Sequence, residues 1–414
     1  MHWHRDGATY SDRTKLMTAE LRKPCVLVLN HFAAPRGQAG GTRHVELFSR
    51  LEGWEHLIIA ADKNHLTGKT VTAETGLLPV PTVSYSSNGF RRILNWVSYC
   101  VSALWAGLRQ GRVDVVYASS PHLLAGLAGL ILAKARRAAF VLEIRDLWPH
   151  ILVQMGQMSK TSPTYRALTM LEELLYQHAD RIVTMAPGTE VELVGRGVSA
   201  QKIVYIPNGA DPEDFAPSAE REALREQYGF TRPTAVYAGA HGPANGLGQV
   251  LAAAEEVANL PVDIVLVGSG VAKSALQEQA AASKLTNVRF LDPVPKTEIA
   301  DLLSAADLGL HVLADVELFR TSVSPNKLFD YMAAGLPVLT NSPGLVSDWV
   351  VGAGCGWIVP PKGIAVGLRA FAAADEADRA ALGRSGQNWL RTNQSRSAMA
   401  KRLSDLLAEV KQRD

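Results

Sequence analysis

Cysteine is scarce in this chain. Cys25, Cys100 and Cys355 are the only three in 414 residues, and they stand too far apart for a disulfide framework or a zinc site. They read as buried thiols. Long apolar runs are missing as well: nearly uncharged stretches such as residues 123–133 fall well short of the roughly 18–20 residues that span a bilayer. The opening residues, Met1 to Asp6, carry no apolar core of a signal peptide, so the expected location is the cytoplasm. No Asp-x-Asp pair and no cluster of metal-ligating side chains occurs, so neither a metal nor a cofactor is expected. A net charge of only +2 excludes the basic footprint of a nucleic-acid-binding protein.

What is present is an ordinary globular composition, 47% apolar and 20% charged, long enough for two domains of about 200 residues. Charge is divided unevenly. Residues 1–207 hold 23 Lys and Arg against 16 Asp and Glu, and the remainder holds 19 against 24, which suggests different partners for the two halves. Residues 90–112 depart further, with four arginines, two tryptophans and no acid. They read either as a core-packed helix or as an interfacial segment on an anionic membrane.

Short apolar runs alternate with helical periodicity along the chain, the mark of parallel sheets with crossover helices. After an unpatterned arm of residues 1–23, an apolar run at 25–29 leads into a glycine-rich turn and a helical pattern over 42–51. Gly40 and Gly41 in that turn would let backbone N–H groups approach an anion. Further strands are expected at 57–60, 113–118 and 139–144, and helices at 122–136 and 164–179. Ligands of such sheets bind beyond the carboxyl ends of the strands, which puts His122, Arg145, Asp146 and Trp148 on a cleft edge. Asp146 reads either as an acceptor contact and acid/base group or as a loop cap. The second half repeats the theme, with a glycine turn Gly239–Gly246 after an apolar run. No lysine or arginine lies between Gly239 and Gln249. Gly268-Ser-Gly270 after the next strand lacks the third glycine of a dinucleotide fingerprint.

Residues 322–338 organise this half. Ser324 is placed to cap a helix starting at Pro325, Gly335 to stop it, and residues 337–339 to form a strand. Lys327 falls in the first helical turn, where the macrodipole disfavours a cation by roughly 0.3–1 kcal/mol. One reading is an i,i+3 ion pair with Asp330. The other is an anionic ligand at the helix N-terminus that offsets the penalty.

The segment Asp330-Tyr-Met-Ala-Ala-Gly-Leu-Pro-Val338 resembles the signature of glycosyltransferase family 4, whose usual form opens on the second of two glutamates eight positions apart. Ser322 stands in the first acidic position. The form around Lys327-Leu-Phe-Asp-Tyr-Met332 is similar to a branch that builds polysaccharides and O-antigens, as is Arg145-Asp-Leu-Trp-Pro149. Ile206-Pro-Asn-Gly-Ala-Asp211 resembles the family's interdomain hinge. The resemblance implies an α/β fold of two Rossmann-like parallel-sheet domains facing across a cleft (GT-B type), with 24–207 for the acceptor, 208–230 as hinge, 231–394 for the nucleotide sugar and 395–414 as a helix crossing back. It implies a retaining glycosyltransferase moving a sugar from a UDP- or GDP-linked donor to a glycan or polyprenyl-diphosphate-linked acceptor, with peripheral contact to the inner membrane face. Lys327, Asp146 and Lys273 would be catalytic. Asp330, Asn326, Leu328, Ser324, Gly239, His241, Gly242, Val294, Gly40 and Gly41 would hold the donor, and Arg145, Trp148 and His122 the acceptor. A nucleotide-sugar epimerase of the same fold, hinted at by His241 and Asp146, and a non-catalytic partner of a polysaccharide complex stand as alternatives.

Overall fold

The computed structural model describes residues 22–85, 90–120 and 122–412; residues 1–21 of the expected arm lie outside them. The chain forms two sheets, each parallel throughout. The first holds β1 (Cys25–Leu29), β2 (Glu55–Ala61), β3 (Leu77–Val80), β4 (Val115–Ser120), β5 (Ala139–Ile144), β6 (Arg181–Thr184) and β7 (Ile203–Tyr205), in the order β3-β2-β1-β4-β5-β6-β7. The second holds β8 (Thr234–Ala238), β9 (Asp263–Val267), β10 (Val288–Leu291), β11 (Leu308–His311), β12 (Val338–Thr340) and β13 (Gly356–Ile358), in the order β10-β9-β8-β11-β12-β13. Both orders reverse next to the first strand of their sheet, the doubly wound topology that opens a crevice at the carboxyl ends of the strands. β4 and β5 are buried along their whole length, which explains why they read as continuous apolar runs rather than alternating ones.

One face of the first sheet is covered by the helices Phe90–Leu108, Leu123–Arg136 and Pro163–His178. The other face is covered from far along the chain. Met399, Ala400, Leu403, Leu406, Leu407 and Val410 of the terminal helix Arg396–Lys411 pack against Val26, Val28, Val115 and Tyr117. The terminal helix therefore belongs structurally to the first sheet.

Of residues 90–112, Phe90–Leu108 form one helix, and its inner face bears out the core-packed reading. Tyr99, Ala103 and Ala106 are buried against the sheet. Ile93, Val97, Val101, Trp105 and Leu108, three or four residues apart, form an exposed apolar stripe, with Val101 and Trp105 each 62% exposed.

The hinge is tied to the first sheet by a buried arginine. The Arg43 guanidinium donates to the carbonyls of Ile206 (2.7 Å) and Pro207 (2.8 Å) and to Asn208 Oδ1 (3.0 Å), and pairs with buried Glu143 at 3.2 Å. Glu143 also accepts from Tyr117 Oη (2.6 Å) and Ser119 Oγ (2.9 Å), so its charge is fully solvated by protein donors. Burial would raise its pKa, but Arg43 and then His44 hold it well below the usual carboxylate range.

The expected cap by Ser324 is corrected. Pro325 takes the N-cap position in extended conformation, the helix runs Asn326–Ala333, and no side chain caps it. The Ser324 hydroxyl is turned to the hinge, where it accepts the Asn208 N–H at 2.9 Å. Ser324 thus stitches the second sheet to the hinge instead of starting a helix.

Candidate active site

The carboxyl ends of the two sheets face each other across a cavity of about 660 Å³. Phe32 after β1, Arg145 after β5, Gly239 after β8, Gly268 after β9 and Val294 after β10 all border it. Close backbone approach shapes both walls. A Cβ on Gly41 would lie 2.5 Å from the Phe32 carbonyl, and one on Gly268 would lie 1.8 Å from the Gly239 carbonyl. Only glycine permits these two contacts.

On the second-sheet wall, Lys327 does not pair with Asp330. Its ammonium donates to Asn245 Oδ1 (2.7 Å) and Tyr237 Oη (2.9 Å) and sits 4.4 Å from the Tyr237 ring centre. Its Cε comes within 3.1 Å of where a Cβ on Gly239 would be. The glycine turn after β8 has no cation of its own, and the helix Asn326–Ala333 delivers one to it. Tyr331 of the same helix secures the geometry: its hydroxyl accepts the Ala238 N–H (2.9 Å) and donates to the Leu310 carbonyl (3.3 Å), binding the helix to β8 and β11. Lys327 borders the cavity, so water touches it, yet protein surrounds its ammonium and this burial brings its pKa down to about 7.

Asp330 is ion-paired instead with Lys296, at 2.6 Å, and both border the cavity. Arg396, at the start of the terminal helix, borders it beside them and pairs with buried Glu46 at 3.1 Å. Burial would raise the Glu46 carboxyl, but Arg396 and then Lys296 hold it below its ordinary value.

The first-sheet wall carries Arg145 and Asp146, with His65 and Arg92 nearby. Asp146 is exposed to the cleft but crowded by protein, and this burial pushes its pKa up while Arg145 opposes the shift. His65 is likewise exposed to the cleft but crowded by protein, and this crowding, then Arg145 and Arg92, lowers it to about 4, so it stays neutral at pH 7.

The remaining expected site residues divide in two. Ser324, Asn326, Gly239, Val294, Gly40 and Gly41 border the cavity. His241, Gly242, Leu328, Lys273, Trp148 and His122 are not among the residues that line it. Leu328 is a core side chain with no exposure. Lys273 spends its ammonium on the carbonyls of Gly268 (2.9 Å) and Leu291 (3.0 Å) and on Asp292 (2.9 Å), which ties the end of β9 to β10. His241 is buried beneath the glycine turn, with neither ring nitrogen partnered among the described residues, and burial lowers it to about 4. His122 caps the helix Leu123–Arg136 by accepting the Ala125 N–H at Nδ1, which leaves Nε2 as the N–H that donates to His31 Nδ1 at 2.9 Å. Trp96 stacks on its ring at 4.9 Å and meets Trp148 edge-on at 5.7 Å. These two expected acceptor residues therefore support the wall rather than line it.

Lys296 and Arg396 escaped the sequence reading. Lys296 follows directly on the loop Asp292–Pro295 and was within reach of it; Arg396 had no local signal, since only the fold brings the terminal helix to the cleft. Among the described residues no group of three or more His, Cys, Asp or Glu could hold a metal ion, and no helix is long and apolar enough to cross a membrane.

Residues 41–209 match the family described as "Glycosyl transferase 4-like domain", and residues 232–374 match "Glycosyl transferases group 1". Together the two matches span most of the chain. The "Probable glycosyltransferase WbjE" of Pseudomonas aeruginosa is 26% identical over 293 residues, 69% of this chain and 72% of that protein. The "GDP-mannose-dependent alpha-mannosyltransferase" of Mycobacterium tuberculosis is 26% identical over 248 residues, and the match spans 60% of each chain. In three dimensions, HepE of Anabaena, solved in complex with UDP-glucose, superposes with a TM-score of 0.69 at 16% identity, covering 93% of this chain and 99% of that one. That likeness is one of fold.

Proposed function

Since the chain belongs to glycosyltransferase family 4 and is an enzyme of that class, we propose that it transfers a sugar, with anomeric configuration retained, from a UDP- or GDP-linked donor to a glycan or lipid-linked glycan in cell-surface polysaccharide synthesis. The carrying observation is Lys327. A lysine from the first turn of one helix is delivered to a cation-free glycine turn at the mouth of a cavity, across from a wall bearing Arg145 and Asp146. Breaking a sugar–phosphate bond builds negative charge on the leaving diphosphate, and a fixed cation with backbone N–H groups at that point stabilises it. Lys327 takes this part with the turn at Gly239. Gly40 and Gly41 approach the donor from the opposite wall.

Asp330 receives the ribose hydroxyls, and the backbone around Val294 faces the base. Asp146, with its raised pKa, accepts the proton of the attacking hydroxyl, and Arg145 orients the acceptor. Attack comes from the face the diphosphate leaves, with no protein nucleophile. The helix Phe90–Leu108 lays its exposed stripe on an anionic membrane, its flanking arginines meeting lipid headgroups, which brings the cleft to a lipid-linked acceptor such as a polyprenyl diphosphate glycan. The hints for an epimerase separate: Asp146 borders the cavity and His241 does not.

GDP-mannose, named for one relative, and UDP-glucose, bound in a structural neighbour, are the first donors to try. Incubation with each, with and without lipid-linked acceptors, should yield transfer that depends on acceptor. Isomerisation without acceptor, or nucleotide binding with neither reaction, would refute the reading. Asp330→Asn should weaken nucleotide binding about tenfold by calorimetry, given the roughly 1.5–3 kcal/mol of hydrogen bonds to a charged group; unchanged affinity removes Asp330 from the ribose.

A further inference from the structure

We propose that Arg396, carried into the cleft by the terminal helix, is a second ribose-recognition residue that works opposite Asp330 to bracket the vicinal hydroxyls of a ribonucleotide. This rests on the donor reading above. The first observation is a paired cation with unsatisfied donors. Arg396 is 2% exposed, yet its Nε and Nη1 have no hydrogen-bond partner among the described residues, and only Nη2 is engaged, on Glu46. Buried guanidinium donors left without acceptors are strongly disfavoured, so an acceptor that arrives with a ligand explains them.

The second observation is place. Arg396, Lys296 and Asp330 border both the main cavity and a smaller recess that adjoins it at the hinge. Arg396 is held there firmly: its backbone N–H donates to Asp211 Oδ1 at 2.8 Å, and Ser397 Oγ donates to Asp211 Oδ2 at 2.8 Å. Asp211 belongs to the hinge, and Ala210 N–H donates to the Gln394 carbonyl at 3.2 Å, so the start of the terminal helix and the hinge form one piece.

The third is chemical complementarity. A hydroxyl both donates and accepts. Asp330 offers only acceptors, and Arg396 offers only donors. A vicinal diol between them satisfies each group: its hydrogens go to the carboxylate and its oxygens take the free guanidinium N–H groups. A phosphate would be drawn to Arg396 and Lys296, but each is already paired with a carboxylate, Glu46 at 3.1 Å and Asp330 at 2.6 Å, and these would repel it. Because Arg396 is anchored on the first sheet and Asp330 on the second, the same diol would also join the two halves of the molecule.

The test compares UDP and GDP with their 2′-deoxy counterparts by isothermal titration calorimetry, on the full-length wild type, Arg396→Lys and Glu46→Gln. The wild type should prefer the ribonucleotide by tenfold or more. Arg396→Lys keeps a charge beside Glu46 but loses the fork, and should cut that preference to less than threefold with the melting temperature near that of the wild type. Glu46→Gln breaks the same ion pair and leaves the guanidinium, so it should retain the preference; this separates recognition from mere support of the helix. An unchanged ribo/deoxy ratio in Arg396→Lys overturns the inference and leaves the donor reading standing. Loss of the ratio in Glu46→Gln as well assigns Arg396 to structure and overturns it. Failure of the wild type to bind either nucleotide overturns the donor reading and this inference together.

Discussion

Lys327 occupies a place that elementary electrostatics disfavours twice, at the positive end of a helix and inside protein. An anion in the cavity turns both penalties into attraction, and more so as the diphosphate gains charge on leaving. Lys327→Ala should therefore lower kcat by on the order of 10²-fold, as loss of one preorganised stabiliser commonly does, with a smaller change in KM. Lys273→Ala should leave kcat within a fewfold of wild type, because its ammonium serves the carbonyls of Gly268 and Leu291. Steady-state kinetics on both variants would reverse the assignment if Lys273→Ala alone lost kcat.

The same lysine carries a pH dependence. Burial lowers it to about 7, and a bound diphosphate favours the charged form. Above pH 7 binding must take up a proton, so affinity for UDP or GDP should fall as pH rises from 7 to 9, by up to about tenfold per unit. Calorimetry in buffers of different ionisation enthalpy should register that uptake. Lys327→Met should flatten the profile; an equally steep profile in Lys327→Met would place the titrating group elsewhere.

At the scale of the element, the helix Phe90–Leu108 presents two apolar faces on one cylinder. Tyr99, Ala103 and Ala106 serve the core, and the stripe from Ile93 to Leu108 faces outward. Arginines flank that stripe at Arg91 and Arg109, and each basic residue near an anionic surface contributes about 1 kcal/mol. The protein should float with anionic vesicles at low salt, and Val101→Glu with Trp105→Glu should abolish flotation without lowering the melting temperature. Equal partitioning onto neutral and anionic vesicles would count against the docking face. The helix Asn326–Ala333 shows the same economy, with Leu328, Phe329 and Met332 turned inward while Lys327 and Asp330 border the cavity.

At the scale of the whole molecule, the terminal helix closes the first sheet and supplies Arg396 to the cleft. Leu403 and Leu407 have no exposure and lie between that helix and strands more than 250 residues earlier in the chain. Leu403→Ala should destabilise the protein by about 2–5 kcal/mol through lost burial and a residual cavity. Differential scanning calorimetry should place that loss in the transition of the first sheet; a melting temperature unchanged from wild type would mean that the crossing helix is dispensable to it.

The strands and crossover helices, the two glycine turns and the positions of Lys327 and Asp330 were legible in the sequence, because each depends on neighbours a few residues away: an apolar run, a missing Cβ, one helical turn. β5 lies where its pattern put it, at Ala139–Ile144. Which side chains meet was not legible. The partners of Lys327 are Asn245 and Tyr237 and not Asp330, His122 and Trp148 turn to the interior, and Ser324 turns to the hinge. Arg396 reaches the cavity only because the last helix returns to the first sheet. Such contacts are set by the twist and spacing of sheets packed across a cleft, and residues far apart in the chain carry no local periodicity that records them. Local pattern determined the elements and the chemistry available; the tertiary structure alone decided which charges face the cavity and which are spent holding it open.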